Sequence, residues 1–246
     1  MAFSHGTAAR MWIDGFPSAC NLNEFSMEGT VDTAETTTLC KDRKTYIPGL
    51  EDATASMSGF FETNTLDPET TFNYFLEERS RTVFPVVYYP DGGESLGSPA
   101  YFLDGFLTSY SVGTTVDEAA TVEMEFQSNT GWERGIVLSE DTLVDTDGES
   151  VYHDNGASTA NGGSAILSVG SALGTSPELD VVIEHTGDNP EDPDPVWVTL
   201  ATFATQTMQG AQYIEFTGTV EQYTRVVWTL GGTTPEFTFN VAIHRN

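Results

Sequence analysis

Four histidines, a scatter of close-set acids and two tryptophans on alternating positions are the residues of this chain that can do chemistry. His153-Asp154 has the composition of a base and its orienting carboxylate. It sits in a polar, Gly-rich stretch, and no Gly-x-Ser-x-Gly nucleophile elbow occurs to use it. His5, His153, His185 and His244 lack metal-ligand spacing. Asp188, Glu191, Asp192 and Asp194 crowd a proline-rich loop, where calcium coordination competes with plain solvation of an acidic loop. Asp145-Thr146-Asp147-Gly148 has part of an EF-hand pattern, but Leu143 stands where the first ligand belongs. Trp197 and Trp228 suit either a sugar platform or a core; at alternating strand positions the core reading is the commoner one. Cys20 and Cys40 match no zinc pattern and are read as reduced thiols. No phosphate-cradling glycine loop links a strand to a helix. These absences predict a protein that is not an enzyme, with no catalytic residue, no cofactor and no metal.

Charge constrains partners more sharply. Asp and Glu number 37 against 9 Lys and Arg, a formal net charge of −28. Such a chain repels nucleic acid, because phosphate binding needs Lys and Arg. Two origins fit: acids lining a surface past which DNA slides, and adaptation to brine, where carboxylates keep proteins soluble. No apolar run is long enough for a membrane-spanning helix. Residues 1–6 lack a basic stretch followed by an apolar one, so no signal peptide is expected.

The elements that must position these residues are mostly strands. In Ala119–Gln127, Val122, Met124 and Phe126 alternate with Thr121, Glu123, Glu125 and Gln127. Phe25, Met27, Gly29 and Val31 alternate with Glu24, Ser26, Glu28 and Thr30. Ala53–Glu62, Val83–Tyr89 and Tyr101–Val112 are further strand candidates. One helix is signalled: Asp67 caps it, Pro68 opens it, and Phe72, Phe75, Leu76 and Arg79 share a face. The polar segment 145–163 reads as a linker. After it come six expected strands: Ala165–Ser171, Leu179–Thr186, Val196–Phe203, Gln212–Thr217, Tyr223–Leu230 and Glu236–Ile243. They predict a small all-β sandwich over 164–246 with Val181, Ile183, Val198, Leu200, Ile214, Phe216, Phe237, Phe239 and Val241 inside. The predicted fold class is mainly β: a β-sandwich or barrel domain with one flanking helix over 1–144, then the sandwich.

Asp32 to Glu62 reads DTAETTTLCKDRKTYIPGLEDATASMSGFFE. Asp32-Thr33-Ala34-Glu35 with Thr36–Thr38, then Lys44-Thr45-Tyr46-Ile47-Pro48-Gly49-Leu50, then Asp52-Ala53-Thr54, then Ser58-Gly59-Phe60-Phe61, taken in that order, resemble the major tail tube proteins of long-tailed, siphovirus-like phages and archaeal tailed viruses. The resemblance covers roughly residues 1–140. It implies a structural protein of the virion tail, assembled in the host cytoplasm as stacked hexameric rings, with other tail proteins at the tube ends and DNA passing through without specific binding. It further implies that 164–246 is an exterior domain. A glycan-binding or cell-surface module of a virion is the alternative. Beside the resemblance, the residues themselves suggest two surfaces. Thr121, Glu123, Glu125 and Gln127, with Glu24 and Glu28, are the expected lumen-facing set. Lys41, Arg43, Lys44 and Tyr46 form the expected inter-subunit loop, a basic tip that docks on an acidic neighbour. Pro48-Gly49 is expected to make a tight turn.

Overall fold

The computed structural model describes residues 8–18, 22–40, 42–61, 83–93 and 95–246. The expected helix from Asp67 to Arg79 lies outside them, as do Cys20 and Lys41. Among the described residues the chain is all β, with no α-helix. The strands are β1 (Arg10–Ile13), β2 (Phe16–Pro17), β3 (Leu22–Glu35), β4 (Tyr46–Phe60), β5 (Phe84–Tyr89), β6 (Pro99–Gly113) and β7 (Thr121–Ser128). They continue with β8 (Glu133–Val144), β9 (Gly148–Glu149), β10 (His153–Asp154), β11 (Gly163–Thr186), β12 (Val198–Thr202), β13 (Gly210–Phe216) and β14 (Tyr223–Arg245).

The chain forms two compact units. The first contains described residues of 1–20, 84–102 and 133–246, and the second those of 21–83 and 103–132. This differs from the expected division at 144 and 164. The segment 145–163 has a linker's composition, yet its backbone is hydrogen-bonded along the start of β14 and the residues just before it: Ser150 N donates to Val226 O (2.8 Å), Asn155 N to Gln222 O (2.9 Å) and Thr159 N to Val220 O (2.9 Å). Polar residues satisfy such bonds as well as apolar ones do, so composition alone does not separate a tether from an edge.

In the first unit the strand order is β12-β11-β14-β8-β6-β5-β1-β2. Its spine is the antiparallel pair β11 and β14, in register from Gly163↔Arg245 to Thr186↔Tyr223, with shifts between Val169 and Ser171 and between Leu173 and Glu178. Four expected strands are therefore two long ones. Gly170, Gly174, Gly231 and Gly232 look like breaks in the sequence but mark bulges, which bend a strand without ending it. Either side of the bend, the two halves of the ladder face each other across one core: Leu167, Val169, Val181, Ile183, Val226, Phe237, Phe239 and Val241. Leu138 of β8 joins this core.

The opposite face of the Gly163–Val169 half buries Ile166 and Ala242 with Trp12, Val87, Tyr89, Ala100, Phe102 and Val137. The amino-terminal strands therefore share a core with the carboxy-terminal ones. Asp14 and Gly15 both adopt positive φ, 48° and 78°, and close a two-residue hairpin between β1 and β2. That turn docks on β13: Ala211 N donates to Asp14 Oδ1 (3.0 Å) and Gln209 Nε2 to Gly15 O (3.1 Å). Of the expected sandwich core, Val198 faces out at 54% exposure. The register shift between Ile183 and Glu184 turns Ala201 and Phe203 inward in its place.

In the second unit β3 pairs β4, β4 pairs β7, and β7 pairs β6, all antiparallel. Pro48 and Gly49 lie inside β4, opposite a register shift between Val31 and Thr33, so they form a strand irregularity and not the expected tight turn.

Cutting the chain after Val144 removes both β11 and β14 from the first unit. The shortened chain is expected to lose the near-UV circular dichroism of its packed aromatics. In the full chain, Phe239→Ala is expected to cost about 3–5 kcal/mol in urea unfolding, the usual cost of emptying a buried aromatic site.

Candidate functional site

The pleat of the second unit sorts most of its side chains by type, with Phe60 and Phe106 as exposed apolar exceptions on the polar face. On one face Val122, Met124 and Phe126 of β7 are buried beside Ala53, Ala55 and Met57 of β4 and Leu107 of β6. Alternation sends the intervening, mostly polar residues to the other face. Strand register lines its residues up in rows. Glu24 sits opposite Ser58, which sits opposite Glu123, which sits opposite Ser111. The next row is Ser26, Ser56, Glu125 and Ser109. A third is Glu28, Thr54, Gln127 and Phe106.

The first two rows enclose a shallow trough of about 230 Å³ lined by Glu24, Ser56, Ser58, Ser109, Ser111, Glu123 and Glu125. Its chemistry is carboxylate and hydroxyl, with no lysine or arginine in any of the three rows. Glu24, Glu28, Glu123 and Glu125 are solvent-exposed. Gln127 is fixed at one end: its Nε2 donates to Asp52 Oδ1 and to Ala53 O. Thr121 closes the other end, its hydroxyl donating to Gly113 O (3.4 Å). The six residues expected to face the lumen lie on one face of this sheet, and the serines of β4 and β6 are members of that face that β7 alone did not reveal. Their signal was a run of small hydroxyl residues at period two, Thr54-x-Ser56-x-Ser58 and Ser109-x-Ser111.

Beyond these rows β3 and β4 continue as a hairpin arm whose residues are exposed from Gly29 to Glu35 and from Tyr46 to Asp52. It shows apolar groups to solvent: Val31 at 49%, Tyr46 and Ile47 at 53% and Leu50 at 81%. Its tip is held by Thr36 N donating to Thr45 O (2.7 Å) and Thr45 N to Thr37 Oγ1 (3.0 Å). Lys44 Nζ pairs with Glu35 Oε2 at 3.2 Å, and Arg43 is exposed. Of the expected loop set, Arg43, Lys44 and Tyr46 are thereby on one arm. Cys40 is an exposed free thiol there.

His5 lies outside the described residues, and several of the other sequence candidates have local structural partners. Asp154 Oδ1 accepts from Gln222 Nε2 (2.9 Å) and Gly156 N (2.8 Å), which holds its carboxyl below the usual range. Burial lowers the His153 pKa. His185 Nδ1 accepts from Glu221 N (3.1 Å), and His244 Nδ1 lies 2.7 Å from Arg134 O. Asp188 Oδ2 accepts from Val196 N (3.0 Å). Trp228 packs edge-on against Phe239 at 5.6 Å. Among the described residues no group of three or more His, Cys, Asp or Glu is placed to hold a metal ion.

No protein-family model matches the chain, and no curated protein matches it. Several solved structures show a distant likeness. A chain of the virion of a native gene transfer agent particle is 16% identical over 54% of this chain and 98% of its own, with a TM-score of 0.42. The SPP1 tail tube is 10% identical over 54% of this chain and 78% of its own, at 0.44. The SPP1 Dit protein is 10% identical over 96% of this chain and 98% of its own, at 0.39. At these values the likeness does not extend to function.

The polar rows are solvent-facing and should add little to stability. Glu123→Gln with Glu125→Gln is expected to shift the unfolding free energy by less than about 0.5 kcal/mol, as surface changes do. Met124→Ala, between them in sequence and buried, should cost about 2–5 kcal/mol. Chemical denaturation of the two variants beside the parent checks both.

Proposed function

We propose that this chain is a structural protein of a viral tail, whose copies join into a tube with the polar face of β3, β4, β7 and β6 toward the bore. The observation that carries the reading is the composition of that face: carboxylates and hydroxyls in register across four strands in two rows, with no cation in any of the three. A wall that lets DNA slide must present no fixed Lys or Arg, since each phosphate contact releases counterions and tightens binding. Glu24, Glu28, Glu123 and Glu125, repeated around a ring, hold phosphate off the wall. Thr121, Gln127 and the serines keep it wetted.

Closure into a ring also answers a problem of the second unit. Long strands with open edges are templates for uncontrolled pairing, and joining edges between copies removes them. The hairpin arm is the second joining element. Val31, Tyr46, Ile47 and Leu50 supply apolar area, while Arg43 and Lys44, with Lys41, supply positive charge in a chain of −28. Such a tip finds complementary charge on almost any face of another copy. The sequence resemblance of residues 32–62 implies a ring of six copies in the virion.

Purified protein imaged by negative-stain electron microscopy should form rings or tubes with a central bore. A protein that stays monomeric at every concentration and ionic strength overturns the proposal. Charge reversal of Lys41, Arg43 and Lys44 to Glu should leave each copy folded but weaken stacking. Glu123→Lys with Glu125→Lys should still assemble, and should retain short duplex DNA at low salt where the parent does not. That retention should fall steeply as salt rises.

A further inference from the structure

We infer that the first unit holds a binding site for a neutral saccharide, in the cavity between the Glu149–Tyr152 segment, the proline loop before β12, and Arg225 of β14. The inference is independent of the tube reading. The cavity is about 460 Å³ and is lined by Glu149, Tyr152, Pro190, Pro195, Trp197 and Arg225, among others. Small-molecule sites commonly span about 300–1,000 Å³.

The site is built rather than incidental. The Arg225 guanidinium is clamped from two sides: its Nε and Nη2 donate to Glu184 Oε2 at 2.9 and 2.8 Å, and its Nη1 lies 2.7 Å from Glu149 Oε2. Its carbon lies 4.2 Å from the centre of the Trp197 ring, so the indole is fixed by the same cation. The proline loop is fixed too. Pro190, Pro193 and Pro195 restrict its backbone. Asp188 Oδ2 accepts from Val196 N, and Tyr152 Oη donates to Glu191 Oε1 at 2.5 Å, tying the loop across the cavity. Tyr152 is held in turn edge-on against Tyr223, centroids 5.7 Å apart. A preorganised constellation of this kind spends little ordering entropy on a ligand.

Charge selects the ligand class. Glu149 lines the cavity, and Glu184 and Glu191 bond to its lining residues Arg225 and Tyr152, so three acids against one arginine repel an anionic ligand. A cationic one meets Arg225, which already occupies the carboxylates and the indole. A neutral polyol fits both conditions. Its hydroxyls can donate to the remaining lone pairs of Glu149, and the C–H face of a pyranose can lie against Trp197, Tyr152 and the prolines. Val151 and Val196, 74% and 66% exposed, offer further apolar area nearby in the chain.

The test is a printed array of neutral gluco-, galacto- and manno-oligosaccharides, followed by isothermal titration of the full chain with the best binder. Saturable binding is expected. It should weaken about tenfold, or about 1.4 kcal/mol, in Trp197→Ala and in Glu149→Gln. Tyr152→Phe, which frees the loop but keeps the ring, should weaken it less. Trp228→Phe, changed in the core, should leave it unaltered. Circular dichroism confirms that each variant is folded. Absence of binding to every neutral saccharide overturns the inference. So does binding indifferent to Trp197 and Glu149. Binding only of a synthetic peptide of residues 36–50 also overturns it, and would make the cavity a contact between copies.

Discussion

The antiparallel ladder between β11 and β14 is the constraint on which the first unit rests. Neither strand could keep its register over so many residues if it stayed straight, because accumulated twist would splay the layers. The shifts at Val169–Ser171 and Leu173–Glu178, with positive φ at Gly174, Ser176, Gly232 and Thr234, bend both strands together. One hydrogen-bonded ladder thereby builds both walls of one core. The face left over on the Gly163–Val169 half then needs cover, and Trp12, Val87, Tyr89 and Phe102 supply it. Trp12 lies so close to Gly170 that a Cβ there would fall 2.5 Å from the indole. The glycine that permits the bulge therefore also admits the aromatic that seals the second core.

That dependence explains why domain boundaries were hard to read. Sequence marks local events: a polar run, a Pro-Gly pair, a glycine doublet. Segment 145–163 has the polarity of a tether, and only its partner on β14 makes it an edge. Leu173 to Pro177 and Gly231 to Pro235 have the composition of turns. Whether such a stretch reverses the chain or bulges within a strand depends on whether the opposite strand breaks at the same place, which is a non-local fact. Strands β1 and β2 were missed for a related reason. They are short, and their burial comes from strands far along the chain, not from any period of their own.

What was legible is what depends on alternation alone. Val122, Met124 and Phe126 could be assigned to one face because the pleat allows no other arrangement. Glu123 and Glu125 followed onto the opposite face by the same geometry. Alternation in a single strand does not say what stands beside those acids. The serines opposite them on β4 and β6 needed strand register, which bulges such as that between Leu107 and Ser109 make uncertain by one residue, and one residue reverses the face.

The two candidate surfaces use the same carboxylates under opposite rules. In the rows of the second unit, Glu24, Glu123 and Glu125 stand among serines with no cation in register. Their charge projects into solvent, screened over about 8 Å at physiological ionic strength. In the first unit, Glu184 and Glu149 share the one cation of Arg225, whose side chain is 19% exposed. There the pairing fixes the carboxylates as hydrogen-bonding atoms and leaves a net negative charge beside them. An unpaired acidic face repels any polyanion whatever its shape. A clamped acid keeps part of that repulsion and adds fixed acceptors that recognise a shape. The chain's excess of acid therefore does not imply one role for all its carboxylates. The few arginines it retains decide, place by place, which of the two an acid plays.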